Sequence, residues 1–419
     1  MATKRKRVRR AQLPPSRRST AKKARATKIK RPKRVPRLTL TRIKLDGFKA
    51  VKSSGYVELK PLTLLIGRNG SGKSSLVEAL QWMQDAYFDG LLEATGRRFR
   101  AYSYLLNKRS TTTTLHLEFQ SSGKPVYYDL NVGGAAGSFD RPIVRDESLF
   151  WGRTNAQKTI LSTTKGSKGP VYRNVEGMNP ERNADRLGIA SMSDGHVSLQ
   201  SIARFVERMV VLRLSPTMMR FESRLERAAG RMLDEEGAQL PALIASFDDS
   251  QRAWVRERVS AVLSGIKNVK ITKTDRARGY VTATERMKWR GGGRQVDLPS
   301  WMLSEGTRRI TALFALLAAN PRPSLLVIEE IENGLDPWTL EYVFQALREA
   351  SSEGTQVIIT THSPFLLDHV NIDEVIHVRR EEGDSTYRAI STYADVAKFG
   401  DAVAPGGMYI AGYFGGDES

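Results

Sequence analysis

The stretch LIGRNGSGKSS, residues 65–75, matches G-x-x-x-x-G-K-[ST] at Gly67, Gly72, Lys73 and Ser74. Glycines let a backbone wrap a phosphate with its N–H groups turned inward, and a helix starting at the loop adds its dipole. The flanks have the order this requires. LTLLI (62–66) is a short apolar run like a buried strand, and Leu76, Leu80 and Met83 recur behind the loop at helical spacing. Gly67, Asn69, Gly70, Ser71, Gly72 and Ser75 are therefore expected to cradle the phosphates of ATP. Lys73 would reach the β- and γ-phosphates, and the Ser74 hydroxyl would ligate Mg²⁺.

Three stretches downstream carry further chemistry: LSEGTRR (303–309), LLVIEEIENGLDP (325–337) and TTHSPFLLD (360–368). The apolar LLVI reads as a buried parallel strand, so Glu329 and Glu330 emerge at its carboxyl end, where ligands bind in open α/β sheets. As bare residues, Ser304 before the apolar ITALFALLAA (310–319) is a helix N-cap, and His362 after VII (357–359) is a surface side chain.

Taken together behind the glycine loop, these stretches resemble the signature motif, the Walker B with D-loop, and the switch histidine of ABC-type ATPase heads in the RecF, SMC and OLD group. LTRIKLDGFKAV (40–51) resembles that group's first strand and turn. The likeness covers about residues 38–400 and is closest to compact RecF-like and OLD-like ATPases, common in bacterial DNA repair and anti-phage systems. It implies that Glu329 holds the Mg²⁺ shell, that Glu330 orients or deprotonates the attacking water, and that His362 contacts the γ-phosphate. It also implies that Ser304, the Gly306 backbone and Asp336 act in trans on nucleotide bound by a second protomer. Gln120, ending the strand-like LHLEFQ, is a candidate Q-loop glutamine for Mg²⁺. Three departures stand out: Glu in place of Asp at 329, Glu305-Gly306 where the family has a glycine pair, and Asp336 where OLD-like members often have His.

Composition narrows the setting. The 419 residues include no cysteine, which excludes a disulfide framework, a zinc finger and a thiol nucleophile. The histidines at 116, 196, 362, 369 and 377 have no metal-ligand spacing. No apolar run is long enough to span a membrane and no secretory leader is visible, so a cytoplasmic, possibly nucleoid-associated protein is expected, with no membrane partner. The net charge of +21 is concentrated at the start of the chain. Residues 1–37 hold 17 Lys or Arg and no acid, while the rest carries 49 basic against 45 acidic residues. Such a segment cannot bury enough apolar surface to offset its ordering entropy, and it reads as a disordered tether for nucleic-acid phosphates.

Between the P-loop and Ser304 there is no sustained heptad run, so no long coiled coil is expected. GRRFRAYSYLLNKRS (96–110) interleaves Arg97, Arg98, Arg100, Lys108 and Arg109 with Phe99, Tyr102 and Tyr104, a mixture suited to nucleic acid or to a solvated loop over core aromatics. Residues 134–200 read as an irregular insertion or lid, 219–236 and 251–263 as helices, and 267–275 with 280–289 as a hairpin. The acidic LDEEG (233–237) reads as solvated.

The expected fold is an α/β P-loop NTPase: an ABC-type ATPase head with a mixed sheet, an inserted lid and helical region, and a basic tail. Its parts are the tail (1–37), a P-loop lobe (38–120), an insertion (121–300), a signature, Walker B and switch-histidine lobe (301–400) and a C-terminal tail (401–419). The expected function is an ATP-hydrolysing switch that dimerises around two ATP, senses nucleic acid, DNA rather than RNA, and controls a separate effector protein. The alternatives are a nucleotide-gated scaffold with little turnover and, further off, a transporter subunit.

Overall fold

The computed structural model describes residues 35–152, 158–166, 169–174, 185–191, 197–226, 231–289, 292–399 and 403–414. Most of the basic tail, and His196, lie outside them. The first lobe holds β1 (Thr39–Phe48), β2 (Val51–Ser53), β3 (Val57–Glu58), β4 (Leu62–Ile66), α1 (Lys73–Asp89), α2 (Leu91–Phe99) and α3 (Tyr102–Leu105). Then come β5 (Thr112–Ser121), β6 (Lys124–Ala135), β7 (Ser138–Trp151), β8 (Lys158–Gly166), β9 (Gly169–Asn174), α4 (Gly188–Ser191), α5 (Val197–Glu207) and β10 (Met209–Leu212). The middle contains β11 (Ser223–Arg224), α6 (Leu240–Ala245), α7 (Asp249–Val262), β12 (Ile266–Lys273), β13 (Arg278–Trp289) and β14 (Gly292–Pro299). The last part has α8 (Glu305–Ala318), β15 (Leu325–Ile328), α9 (Pro337–Ser352), β16 (Gln356–Thr361), α10 (Pro364–Leu367), β17 (Val375–Glu381), β18 (Asp384–Ala389), α11 (Ala394–Phe399) and α12 (Pro405–Ile410).

The site is built on a six-stranded mixed sheet of order β10-β15-β16-β4-β17-β18. The first five strands run parallel, and β18 returns antiparallel to β17. The inner strands are covered on both faces, which is why β10, β15 and β4 are nearly all apolar. Side chains alternate between the faces. Leu65, Val327 and Ile358 pack into one core with α1, while Leu64, Leu326 and Ile359 pack into another with α8 and α9. An antiparallel sheet, β2-β1-β5-β6-β7-β8-β9 with β3 on β1, closes the α1 side. A smaller sheet, β11-β13-β12 with β14 on β13, takes β12, β13 and β14 from between α7 and α8 and β11 from before α6.

Three expectations change. Residues 134–200 are not wholly an irregular insertion: β7, β8 and β9 extend the antiparallel sheet. Residues 219–236 do not form the helix their charge pattern suggests; β11 and turns occupy the described part. Within the expected C-terminal tail, the described residues 403–414 pack on the body, where α12 buries Met408 and Phe414 joins the same core.

Candidate functional site

The carboxyl ends of β4, β15 and β16 bring the motifs together. The loop from Gly67 to Gly72 leaves β4 and turns into α1, with Gly72 at φ +108°. A side chain at Gly67 would meet the Val378 carbonyl at 2.1 Å, and one at Gly72 would meet the Ser385 hydroxyl at 2.1 Å, so the β17-β18 hairpin fits only against glycines. The Tyr387 hydroxyl donates to the Gly72 carbonyl at 2.7 Å from the same hairpin. Ser71 and Ser75 are buried, Asn69, Gly70 and Ser74 exposed. The buried Ser71 hydroxyl has no hydrogen-bond partner among the described residues, as expected of a group that waits for a ligand.

Lys73 is buried. Its ammonium donates to the carbonyls of Gly67 (2.7 Å) and Arg68 (3.1 Å) and lies 3.4 Å from His362 Nδ1. Burial lowers its pKa to about 8, against the opposing pull of Glu330, Glu332 and Glu329. His362 Nε2 is 3.7 Å from Glu330 Oε1, and the His362 N–H donates to Glu332 at 2.6 Å. Glu330 sits at φ +49°, a conformation a non-glycine residue adopts at a cost of about 1–3 kcal/mol. Its N–H donates to Thr360 Oγ1 at 3.0 Å, and Asn333 Nδ2 donates to its carboxylate at 2.6 Å. The strained turn aims this half-exposed carboxylate away from the strand and toward His362.

Glu329 points the other way and is buried. Ser74 Oγ donates to Oε2 at 3.1 Å, and Arg213 Nη2 donates to Oε1 at 2.7 Å. Burial raises the Glu329 pKa, and the Arg213 and Ser74 bonds oppose that rise. Arg213 was missed in the sequence, where VVLRLSP (210–216) reads only as a strand running into a turn. The signal available was a lone cation following a fully apolar strand, and the pairing of β10 with β15 gives that cation its meaning.

Ser304, Gly306 and Asp336 form a second cluster. Ser304 caps α8, its hydroxyl accepting from Thr307 N–H at 3.1 Å, and Asp336 caps α9 by accepting from Trp338 and Thr339 N–H, each at 3.1 Å. A side chain at Gly306 would meet the Gly334 carbonyl at 2.7 Å, so the loop after Glu330 packs directly on the start of α8. Ser304 and Asp336 are exposed, and neither bonds to the P-loop among the described residues.

Gln120 does not belong to the site. It pairs with Thr39 at the start of β1, beside Leu40, whose N–H bonds to Gln356 at the start of β16. That is the amino end of the parallel strands, opposite the P-loop. Arg97 and Arg98 take part in ion pairs: Arg97 with Asp89 and Glu93 at the surface, and Arg98 with the buried Asp85 and with Glu235. Phe99 packs on Phe48, and Tyr102 is buried with its hydroxyl on the Val132 carbonyl. Arg109 donates to the Glu382 carbonyl. Arg100, Lys108 and Tyr104 are exposed. The acidic LDEEG is engaged as well: Asp234 accepts from the N–H groups of Ala238 and Gln239, and Glu235 bonds Gln81 and Arg98.

A magnesium ion fits the donor set. Ser74 Oγ and Glu329 are hard oxygen ligands already 3.1 Å apart, and the buried carboxylate calls for a cation. Among the described residues no group of three or more His, Asp or Glu converges as a metal cage. Two protein oxygens with phosphate supplying others is the usual arrangement for Mg²⁺ with nucleotide.

Comparison with known proteins follows the same lines. Residues 178–368 match the family model described as "AAA domain, putative AbiEii toxin, Type IV TA system", and residues 39–127 match "AAA ATPase domain". The lipoprotein-releasing system ATP-binding protein LolD of Myxococcus xanthus is 34% identical over 97 residues, 23% of this chain and 42% of LolD. A "Putative ABC transporter ATP-binding protein" of Bacillus thuringiensis is 37% identical over 59 residues, 14% of this chain and 10% of that protein. The chain thus spans less than half the length of these curated relatives. Among solved structures, an SMC head bound to the C-winged helix domain of ScpA superposes with a TM-score of 0.51 at 16% identity, covering 83% of this chain and 97% of that one. An SMC head with an extended coiled coil, bound to the C-terminal domain of ScpA and derived from Pyrococcus furiosus, gives 0.51 at 13% identity, covering 86% and 99%. At such identities the likeness is one of fold.

Proposed function

We propose that this chain, whose fold is that of an SMC head and whose two halves match ATPase domain models, is an ATP-hydrolysing switch whose active site is completed by a second copy of itself. The observation that carries this is the separation of the two groups: Lys73, Ser74, Glu329, Glu330 and His362 converge, while Ser304 and Asp336 are exposed and make no bond to the P-loop among the described residues. A γ-phosphate held by the P-loop and Lys73 would meet the capped start of the partner's α8, where N–H groups and the helix dipole favour an anion.

The residues divide the work. Lys73 exchanges its two carbonyl partners for phosphate oxygens. Glu330, held off the strand by its positive φ and by Asn333, orients and deprotonates the attacking water, and His362 beside it binds the γ-phosphate. Ser74 and Glu329 would hold Mg²⁺, which when bound neutralises charge on the β- and γ-phosphates. Positioning and electrostatics supply the rate, since phosphoryl transfer asks little covalent chemistry of the protein.

The substrate side of the switch is nucleic acid, DNA before RNA, through the basic amino-terminal segment together with Arg100, Lys108 and Tyr104, and the output is a separate effector protein. Charge supports the first part, because the excess of Lys and Arg sits in residues 1–37. The setting is DNA maintenance or anti-phage defence in the cytoplasm. The test is ATP turnover per protomer against protein concentration, with and without duplex DNA. A rate that rises with concentration and with DNA supports a shared, DNA-coupled site; a flat rate indifferent to DNA removes both.

A further inference from the structure

Arg213 stands directly after β10, beside the strand that carries Glu329. Three carboxylates converge on its guanidinium: Glu329 at 2.7 Å, Glu78 at 3.4 Å and Glu235 at 3.7 Å. Both oxygens of Glu329 are thereby engaged, one by Ser74, its prospective co-ligand, and one by a cation. A guanidinium has five donors and no acceptor, so Arg213 cannot itself be a metal ligand. It supplies the positive charge that a metal would supply.

We propose that Arg213 is the resident counter-ion of the metal site: it keeps Glu329 paired and aimed before nucleotide arrives, and it gives Glu329 up to the divalent cation that enters with nucleotide. Arg213 and the metal then compete for one carboxylate. Glu235 is placed to receive the released guanidinium. Its Oε1 already lies 3.7 Å from Arg213 Nε, while its Oε2 is fixed by Gln81 at 2.6 Å and by Arg98 at 3.2 Å. The Arg213 side chain is 42% exposed against 5% for Glu329, so the arginine is the partner with room to swing. Arg213 is in this account a positioning residue for the nucleotide site, and the inference rests on the nucleotide reading above.

The competition sets a sign that a merely structural ion pair would not. With the full chain, saturating ADP and Mn²⁺ as the probe, metal binding is followed by electron paramagnetic resonance, and nucleotide binding separately with a fluorescent ADP analogue. Arg213→Gln is expected to lower the half-saturating Mn²⁺ by about tenfold, the scale of one charge-assisted bond lost by the competitor. Glu235→Gln, which removes the receiving carboxylate, is expected to raise it several-fold. An unchanged or higher half-saturation in Arg213→Gln overturns the proposal. Should that variant not fold, Glu235→Gln decides, and an unchanged value there overturns it equally. A wild-type chain that binds no ADP analogue at any Mn²⁺ concentration defeats the nucleotide reading and this inference together, whereas normal ADP binding with unaltered Mn²⁺ dependence defeats the inference alone.

Discussion

At the carboxyl ends of β4, β15 and β16, charged side chains are held apart from full neutralisation. Lys73 rests on two carbonyls, Glu330 is fixed at a positive φ, and the Ser71 hydroxyl is buried without a partner. At Arg97 and Arg98 the opposite holds. Arg98 lies against Asp85, which is fully buried and also pairs with Arg231 at 2.7 Å, and Arg97 is spent on Asp89 and Glu93. The contrast separates two uses of charge. A site keeps groups costly to leave alone, while a seam between α1, α2 and the 231–239 turn cancels its charges pair by pair. Charge density alone does not mark the functional end of this molecule.

Substitutions can break that contrast. The largest effect is expected for Glu330→Gln, which should lower turnover by about a thousandfold with ATP affinity kept, read from steady-state hydrolysis beside nucleotide binding. Lys73→Ala should weaken ATP binding by about a hundredfold or more, with no loss of thermal stability in the nucleotide-free chain, because the desolvation of the buried ammonium outweighs the pull of the nearby carboxylates. Equal destabilisation by Lys73→Ala and by a seam mutant would erase the distinction.

On the other side, Arg98→Ala should cost about 2 kcal/mol of stability by leaving buried Asp85 one partner short, and should leave duplex DNA binding unchanged. A loss of DNA affinity without a fall in Tm would return Arg98 to the surface. The pH dependence sharpens the site half. Lys73 is charged below its lowered pKa of about 8 and neutral above it, so affinity for ADP should be full below pH 8 and fall by up to tenfold per unit as pH rises through that value. Titration of a fluorescent ADP analogue from pH 7 to pH 10 checks it, and a flat profile contradicts it. The smallest effect belongs to exposed charge: Arg100→Glu with Lys108→Glu should change Tm little and weaken DNA binding only at low salt.

The parallel sheet and the P-loop were legible because each depends on short stretches of chain: LTLLI, the glycines and LLVIEE specify strand, turn and carboxylates within a few residues. Gln120 was misplaced because the end of a strand gives no sign of which end of a sheet it reaches, and that depends on the antiparallel pairing of β5 with β1. Arg213 and Glu235 escaped for a related reason. Their partners, Glu329 and Arg98, are more than a hundred residues away in sequence and are neighbours only through the β10-β15 pairing and the turn at 231–239. The polar run 134–200 misled by composition, since strands exposed on one face carry polar residues as loops do.

The claim at the centre is that one copy holds nucleotide and a second copy completes the site. It is tested most directly by light scattering of the Glu330→Gln chain with ATP and Mg²⁺, because that variant should bind ATP and fail to discharge it. A dimer that forms with ATP, and is absent with ADP or in Lys73→Ala, is the expected result. A chain that binds ATP and stays monomeric would contradict the account.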